Sequence, residues 1–110
     1  MAYTAVRYGP MTVDNLDMQV FQAIAANRTL IKQIVVANRS AASGWISVGV
    51  STDTDLTEVE ALFWSLPVPV GGTLVFDTTM HMSAGERLLA LADADDRMTI
   101  TVMAATEPIA

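Results

Sequence analysis

Four short segments of this chain alternate apolar with polar or small residues at a period of two, and that repeat constrains the fold more than any other feature. Ile46, Val48 and Val50 alternate with Ser47 and Gly49, and Leu62, Trp64, Leu66, Val68 and Val70 recur at every second position. Leu74, Phe76 and Thr78 follow Gly71-Gly72, while Met98, Ile100 and Val102 alternate with Thr99 and Thr101. Successive side chains of a strand point to opposite faces, so this spacing lines one face with apolar groups. Many such segments predict an antiparallel sheet packed on one side.

Eight strands are predicted, at about 3–8, 17–24, 29–38, 45–51, 61–68, 73–79, 86–92 and 97–104. Turn chemistry separates them: Gly9-Pro10, Ala26-Asn27-Arg28, Ser40 to Gly44, Gly71-Gly72, Ser83-Ala84-Gly85 and Asp93 to Asp96. The spacing favours an all-β fold, a single antiparallel β-sandwich of jelly-roll or immunoglobulin-like type, with at most one or two short helical turns. Residues 14–26 carry both a helical spacing (Leu16, Val20, Ile24) and a strand spacing (Leu16, Met18, Val20), and strand is the preferred reading. Asp55-Leu56-Thr57-Glu58 reads as a helix cap followed by one turn. The expected organisation is one domain over 1–110, with extended ends at about 1–10 and 105–110. The predicted core comprises Ile34, Val36, Ile46, Val48, Trp64, Leu66, Phe76, Leu89, Ile100 and Val102.

Composition narrows function by exclusion. A chain of 110 residues can bury roughly 65% of its unfolded surface, enough for one core without disulfides or metals. It has no cysteine, which removes thiol catalysis, disulfide frameworks and thiolate zinc sites. Twelve acidic residues against six basic give a net charge of -6. Arg7, Arg28, Lys32, Arg39, Arg87 and Arg97 are scattered, so a nucleic-acid partner is not expected. The apolar run from Ala61 to Phe76 is broken by Pro67, Pro69, Gly71 and Gly72 and is shorter than the ~20 residues of a membrane helix. No membrane partner and no signal peptide are read from the sequence. The mean hydropathy of +0.39 is high for a soluble domain. Either both sheets are well filled, or other subunits cover part of the apolar surface.

Few residues invite chemistry. Asp93, Asp95 and Asp96 could supply calcium oxygens, but Met98 and Ala104 stand where a helix–loop–helix calcium motif needs Gly and Glu, so a solvated turn is expected. Asp53 and Asp55 read as turn and cap residues. His81 is the only imidazole, and it could pair with Asp77, yet no nucleophile setting accompanies it. No catalytic residue, metal or cofactor is assigned. Trp45 lies on the opposite face from Ile46 and Val48, which makes it a candidate contact aromatic. With Asn38 and Arg39 it is also the one conceivable sugar platform. The candidate interface residues are Tyr3, Val6, Tyr8, Trp45, Met80, His81, Met82 and Ile109. The first strand could leave its own sandwich and pair with a neighbour's sheet edge.

The succession of strands and turns resembles the small β-sandwich virion proteins of tailed bacteriophages. The resemblance runs through "TLIKQIVVANRS" (29–40), "GWISVGV" (44–50), "LPVPVGGTLVF" (66–76), "MSAGERLLALAD" (82–93) and "MTITVMAATE" (98–107). In such proteins the turn before the seventh strand often reads Ala-Gly-Asp, where this chain has Ala84-Gly85-Glu86. The resemblance implies a non-enzymatic structural protein, in first place a capsid decoration or cement protein on the outside of a shell. A tail-tube, tail-tip or head–tail connector component is the alternative, and a carbohydrate-binding sandwich is the alternative of another class. It implies the major capsid protein or other virion subunits as partners, a homo-oligomer on the particle, and residence in the virion after assembly in the host cytoplasm.

Overall fold

The computed structural model describes residues 3–24, 27–94 and 97–108. Eight strands form: β1 (Thr4–Thr12), β2 (Met18–Gln22), β3 (Asn27–Asn38), β4 (Gly44–Ser51), β5 (Ala61–Val68), β6 (Thr73–Met82), β7 (Arg87–Ala92) and β8 (Met98–Pro108). One sheet has the order β1-β8-β3-β6 and the other β2-β7-β4-β5. Every ladder is antiparallel. Only the β4–β5 connection stays within a sheet; each of the others crosses to the opposite one. That winding is a jelly roll, and it differs from the ABED/CFG order of an immunoglobulin sandwich. The ambiguous segment at 14–26 contributes the five-residue strand β2.

Aliphatic side chains from both inner faces fill the space between the sheets. Ile31, Ile34, Ile46, Val48, Val68, Leu88, Met98, Ile100 and Val102 have no exposed surface, and Val36 has almost none. Each such side chain contributes roughly 1.5–3 kcal/mol by leaving water. Buried polar side chains are few among the described residues: Thr29, Asn38, Ser47 and Ser51. Asn38 is fully committed. Its Nδ2 donates to the carbonyls of Ala42 (2.9 Å) and Val68 (3.1 Å), and its Oδ1 accepts from the N–H and Oγ of Ser40. It ties the β3–β4 loop to the end of β5.

Three predicted core residues are less buried than expected. Trp64 is 40% exposed. Ile46 pairs with Leu66 and Val48 with Phe63, so Trp64 and Ser65 together face the single residue Ser47. Ser65 takes a positive φ of 50° and donates its N–H to Ser47 Oγ at 2.8 Å. This bulge shifts the alternation by one residue, putting Phe63 inward and Trp64 outward. Leu66 faces inward opposite Ile46, but on an edge strand, and is only half-buried. Phe76 does face inward, opposite Ile34, but on an edge strand. It meets Phe63 edge-to-face at 5.8 Å and stays partly open to solvent.

The β4–β5 connection covers part of the second sheet's outer face. Leu56 and Leu89 are buried yet lie outside the main core cluster. Leu89 pairs with Gly49 on that outer face. A Cβ on Gly49 would lie 2.6 Å from the Glu60 carbonyl oxygen and 2.7 Å from Leu56 Cδ1, so glycine is required for the loop to sit this close. Asp17 Oδ2 accepts the Leu56 N–H at 3.2 Å. The helical turn expected from a cap at Asp55 begins two residues later. It is a single 3-10 turn at Glu58–Glu60, with Glu60 Oε1 accepting from Thr57 N–H (3.3 Å) and Oγ1 (3.0 Å).

Candidate interaction surface

Apart from Trp45 on β4 and Ile109, the candidate interface residues divide between the two edges of the β1-β8-β3-β6 sheet. Tyr3 stands exposed just before β1. Val6 and Tyr8 lie on β1 opposite Ala104 and Val102, on the core side, and are half-buried. On β6, His81 is exposed on the outer face, whereas Met80 packs against the core. Met82 is fully buried opposite Thr29, so it offers no contact surface, contrary to expectation. The strand alternation explains this pattern, because Met80 and Met82 share the inner face with Phe76. Ile109 lies outside the described residues.

The first and last strands are both paired within the sheet. β1 is hydrogen-bonded to β8 from Thr4 to Thr12, and β8 continues through Pro108 against Asn27 of β3. The Arg28 guanidinium lies 3.5 Å from the Glu107 carboxylate beside that pairing. The first strand, from Thr4, pairs within its own subunit in this structure.

The register also exposes a feature that residue-by-residue reading missed. Across the outer face of the same sheet, Thr101, Val35 and Val75 form one cross-strand row. Arg7, Met103, Gln33 and Asp77 form the next, and Ala5, Ala105, Leu30 and His81 a third. Val75 is 57% exposed and Met103 39%. The three rows are apolar or uncharged at their centre, with Arg7 and Asp77 at opposite edges, and the exposed Lys32 stands on β3 between the second and third rows. The signal was present in the sequence as residues off the buried alternation, but only the strand order assembles them into a face.

The chemical candidates are dispersed. Asp77 Oδ1 accepts from Gln33 Nε2 at 2.8 Å, and no hydrogen bond joins it to His81 among the described residues. Asp93 Oδ2 lies 3.3 Å from Arg97 Nη1, while Asp95 and Asp96 lie outside the described residues. The Asp53 N–H donates to Ser51 Oγ, a turn contact. No group of three His, Asp or Glu side chains able to hold a metal occurs among the described residues.

Trp45 is half-buried at the wall of an open cleft of about 440 Å³, with Ser43, Ser65, Pro67, Pro69 and Asp93. A Cβ on Gly44 would lie 2.6 Å from Asp93 Oδ1, which is buried there without a hydrogen-bond partner among the described residues. Asn38 is turned away into its own loop, so the trio of Trp45, Asn38 and Arg39 is not built as a sugar platform.

No protein-family model matches the chain, and no curated protein does. Among solved structures, it is similar to a chain of infectious bursal disease virus, Gx strain, at 14% identity and a TM-score of 0.47. That match covers 98% of this chain and 35% of the viral one. It is also similar to a pentameric capsid protein from metagenomic phage sequences, at 13% identity and a TM-score of 0.39, covering 96% of this chain and 66% of that one. The chain therefore spans about a third of the bursal disease virus chain and just under two thirds of the phage protein.

Proposed function

We propose that this chain is a non-enzymatic structural component of a tailed-phage virion, a decoration or cement protein seated on the outside of the capsid shell. The observation that carries the reading is the division of the molecule into a closed aliphatic interior and an uncommitted surface. Jelly rolls serve as capsid proteins, lectins and cupins, and fold alone does not choose among these. Cupin-type chemistry needs polar ligands inside the sandwich, and here that space holds Ile, Val, Leu and Met. The apolar rows around Val35, Val75 and Met103 are instead available to a neighbouring subunit. The strand and turn succession shared with small phage virion proteins supports the same role. Many weak contacts repeated over a shell hold such a protein more firmly than any one contact.

Co-sedimentation tests this. Full-length protein mixed with shells of the phage that encodes it should pellet with them to saturation, and Val75→Lys should weaken that binding. Retention on tails and not on shells would move the assignment to a tail or connector component. Failure to bind any particle would overturn the virion reading.

A further inference from the structure

We propose that the cleft beside Trp45 is a docking site for an arginine side chain presented by a neighbouring subunit, with the indole as its stacking platform and Asp93 as its counter-charge. The inference rests on the proposed structural role only for the source of that arginine.

Two hydrogen-bonded turns and two prolines fix the walls of this cleft. Asn38 Nδ2 donates to the carbonyls of Ala42 and Val68, and Ser40 Oγ donates to the Ala42 carbonyl at 2.7 Å, which holds the backbone leading into Ser43. At the opposite rim the Gly72 N–H donates to the Pro69 carbonyl at 2.9 Å. Trp45 and Pro67 are cross-strand partners. Ser65 also lines the cleft, and its φ of 50° lies in the left-handed region that residues with a Cβ seldom adopt. Bulges such as this one are over-represented beside functional sites. A site held in this way loses little freedom when it is filled.

Electrostatics choose the occupant. The Asp93 N–H donates to the Trp45 carbonyl at 3.3 Å, so the carboxylate and the indole hang from neighbouring backbone. A carboxylate can accept about four hydrogen bonds. Oδ2 has Arg97 Nη1 at 3.3 Å, and Oδ1 is buried with no partner among the described residues. The side chain is only 19% exposed, so water compensates its charge poorly. A donor entering from the cleft meets that need, and a charged donor gains more than a hydroxyl. Guanidinium suits both surfaces, because its plane stacks on an indole and its fork gives two N–H groups to one carboxylate. Rotation about the Asp χ2 bond is soft and two-fold, so either oxygen can turn toward the cleft. The chain's net charge of -6 also draws a basic partner.

Fluorescence tests this without a particle. The chain has two tryptophans, and Trp64→Phe leaves Trp45 as the reporter. Nα-acetyl-arginine N-methylamide, titrated at constant ionic strength, should change the emission saturably with a Kd of about 1–10 mM. The citrulline analogue has the same shape without the charge and should bind about tenfold more weakly or worse. Asp93→Asn should weaken arginine binding by a similar factor while circular dichroism stays unchanged; the citrulline comparison decides the matter if that variant does not fold. No saturable change by about 50 mM, an equal response to citrulline, or an affinity untouched by Asp93→Asn would overturn the site. Saturation by a methyl glucoside in place of arginine would overturn it in favour of a sugar subsite. Probe binding by a chain absent from all particles would support the cleft and remove the virion role. A chain that decorates shells yet ignores the probe would overturn the cleft and leave that role standing.

Discussion

The rings of Tyr8 and Phe21 lie parallel, 4.0 Å apart and 2° from coplanar, bridging the first strands of the two sheets. β1 and β2 are edge strands of opposite sheets, so this stack seals one open side of the jelly roll. Phe63 and Phe76 seal the other side, between β5 and β6. Phe21 is buried, and Phe21→Ala should cost about 3–5 kcal/mol. A double-mutant cycle with Tyr8→Ala in urea denaturation should return a coupling of about 0.5–1.5 kcal/mol.

Trp64 lies outside the core, so Trp64→Ala should lower stability by less than about 1 kcal/mol. Ile34→Ala, at a fully buried site, should cost about 2–5 kcal/mol in the same denaturant titration. Equal losses would place the indole inside and contradict the Ser65 bulge.

Gly49→Ala should push the β4–β5 loop off the sheet, because the new methyl meets backbone of Glu60 and Ala61. The expected cost is about 1–3 kcal/mol. Hydrogen exchange should rise selectively over residues 52–60, with β3 and β8 unchanged.

Hydrogen bonds from the Ser51 and Thr57 side chains hold the Glu60 carboxyl below its ordinary pKa. A carboxyl lowered in the folded state stabilises above its ordinary pKa and loses that contribution as pH falls through the folded value. Glu60→Gln should therefore be less stable than the parent near neutrality, with the gap narrowing in acid. A pH series of thermal melts reads this directly; a gap that widens toward low pH would refute it.

The fold was legible because burial is one-sided. Ile46, Val48, Ile100 and Val102 alternate without interruption, and the turns between strands carry Gly, Pro, Asn and Asp. Jelly roll as against immunoglobulin order was not legible, since strand order depends on which edges meet and not on any single segment. Trp64 was misplaced because a bulge inverts alternation without leaving a glycine or proline to mark it; Ser65 adopts the positive φ instead. His81 stands exposed, while Met82 beside it belongs to the opposite, buried face. The outer apolar rows needed register, because Val35, Val75 and Met103 are distant in sequence.

The most direct test of the central claim is cryo-electron microscopy of virus particles purified from cultures that carry the gene for this chain, combined with copy-number mass spectrometry. The account predicts eight-stranded jelly-roll density at regular positions on the outer shell, with the face carrying Val35, Val75 and Met103 turned toward a neighbouring subunit. Particles that lack the chain, or carry it with that face fully exposed to solvent, would contradict the account.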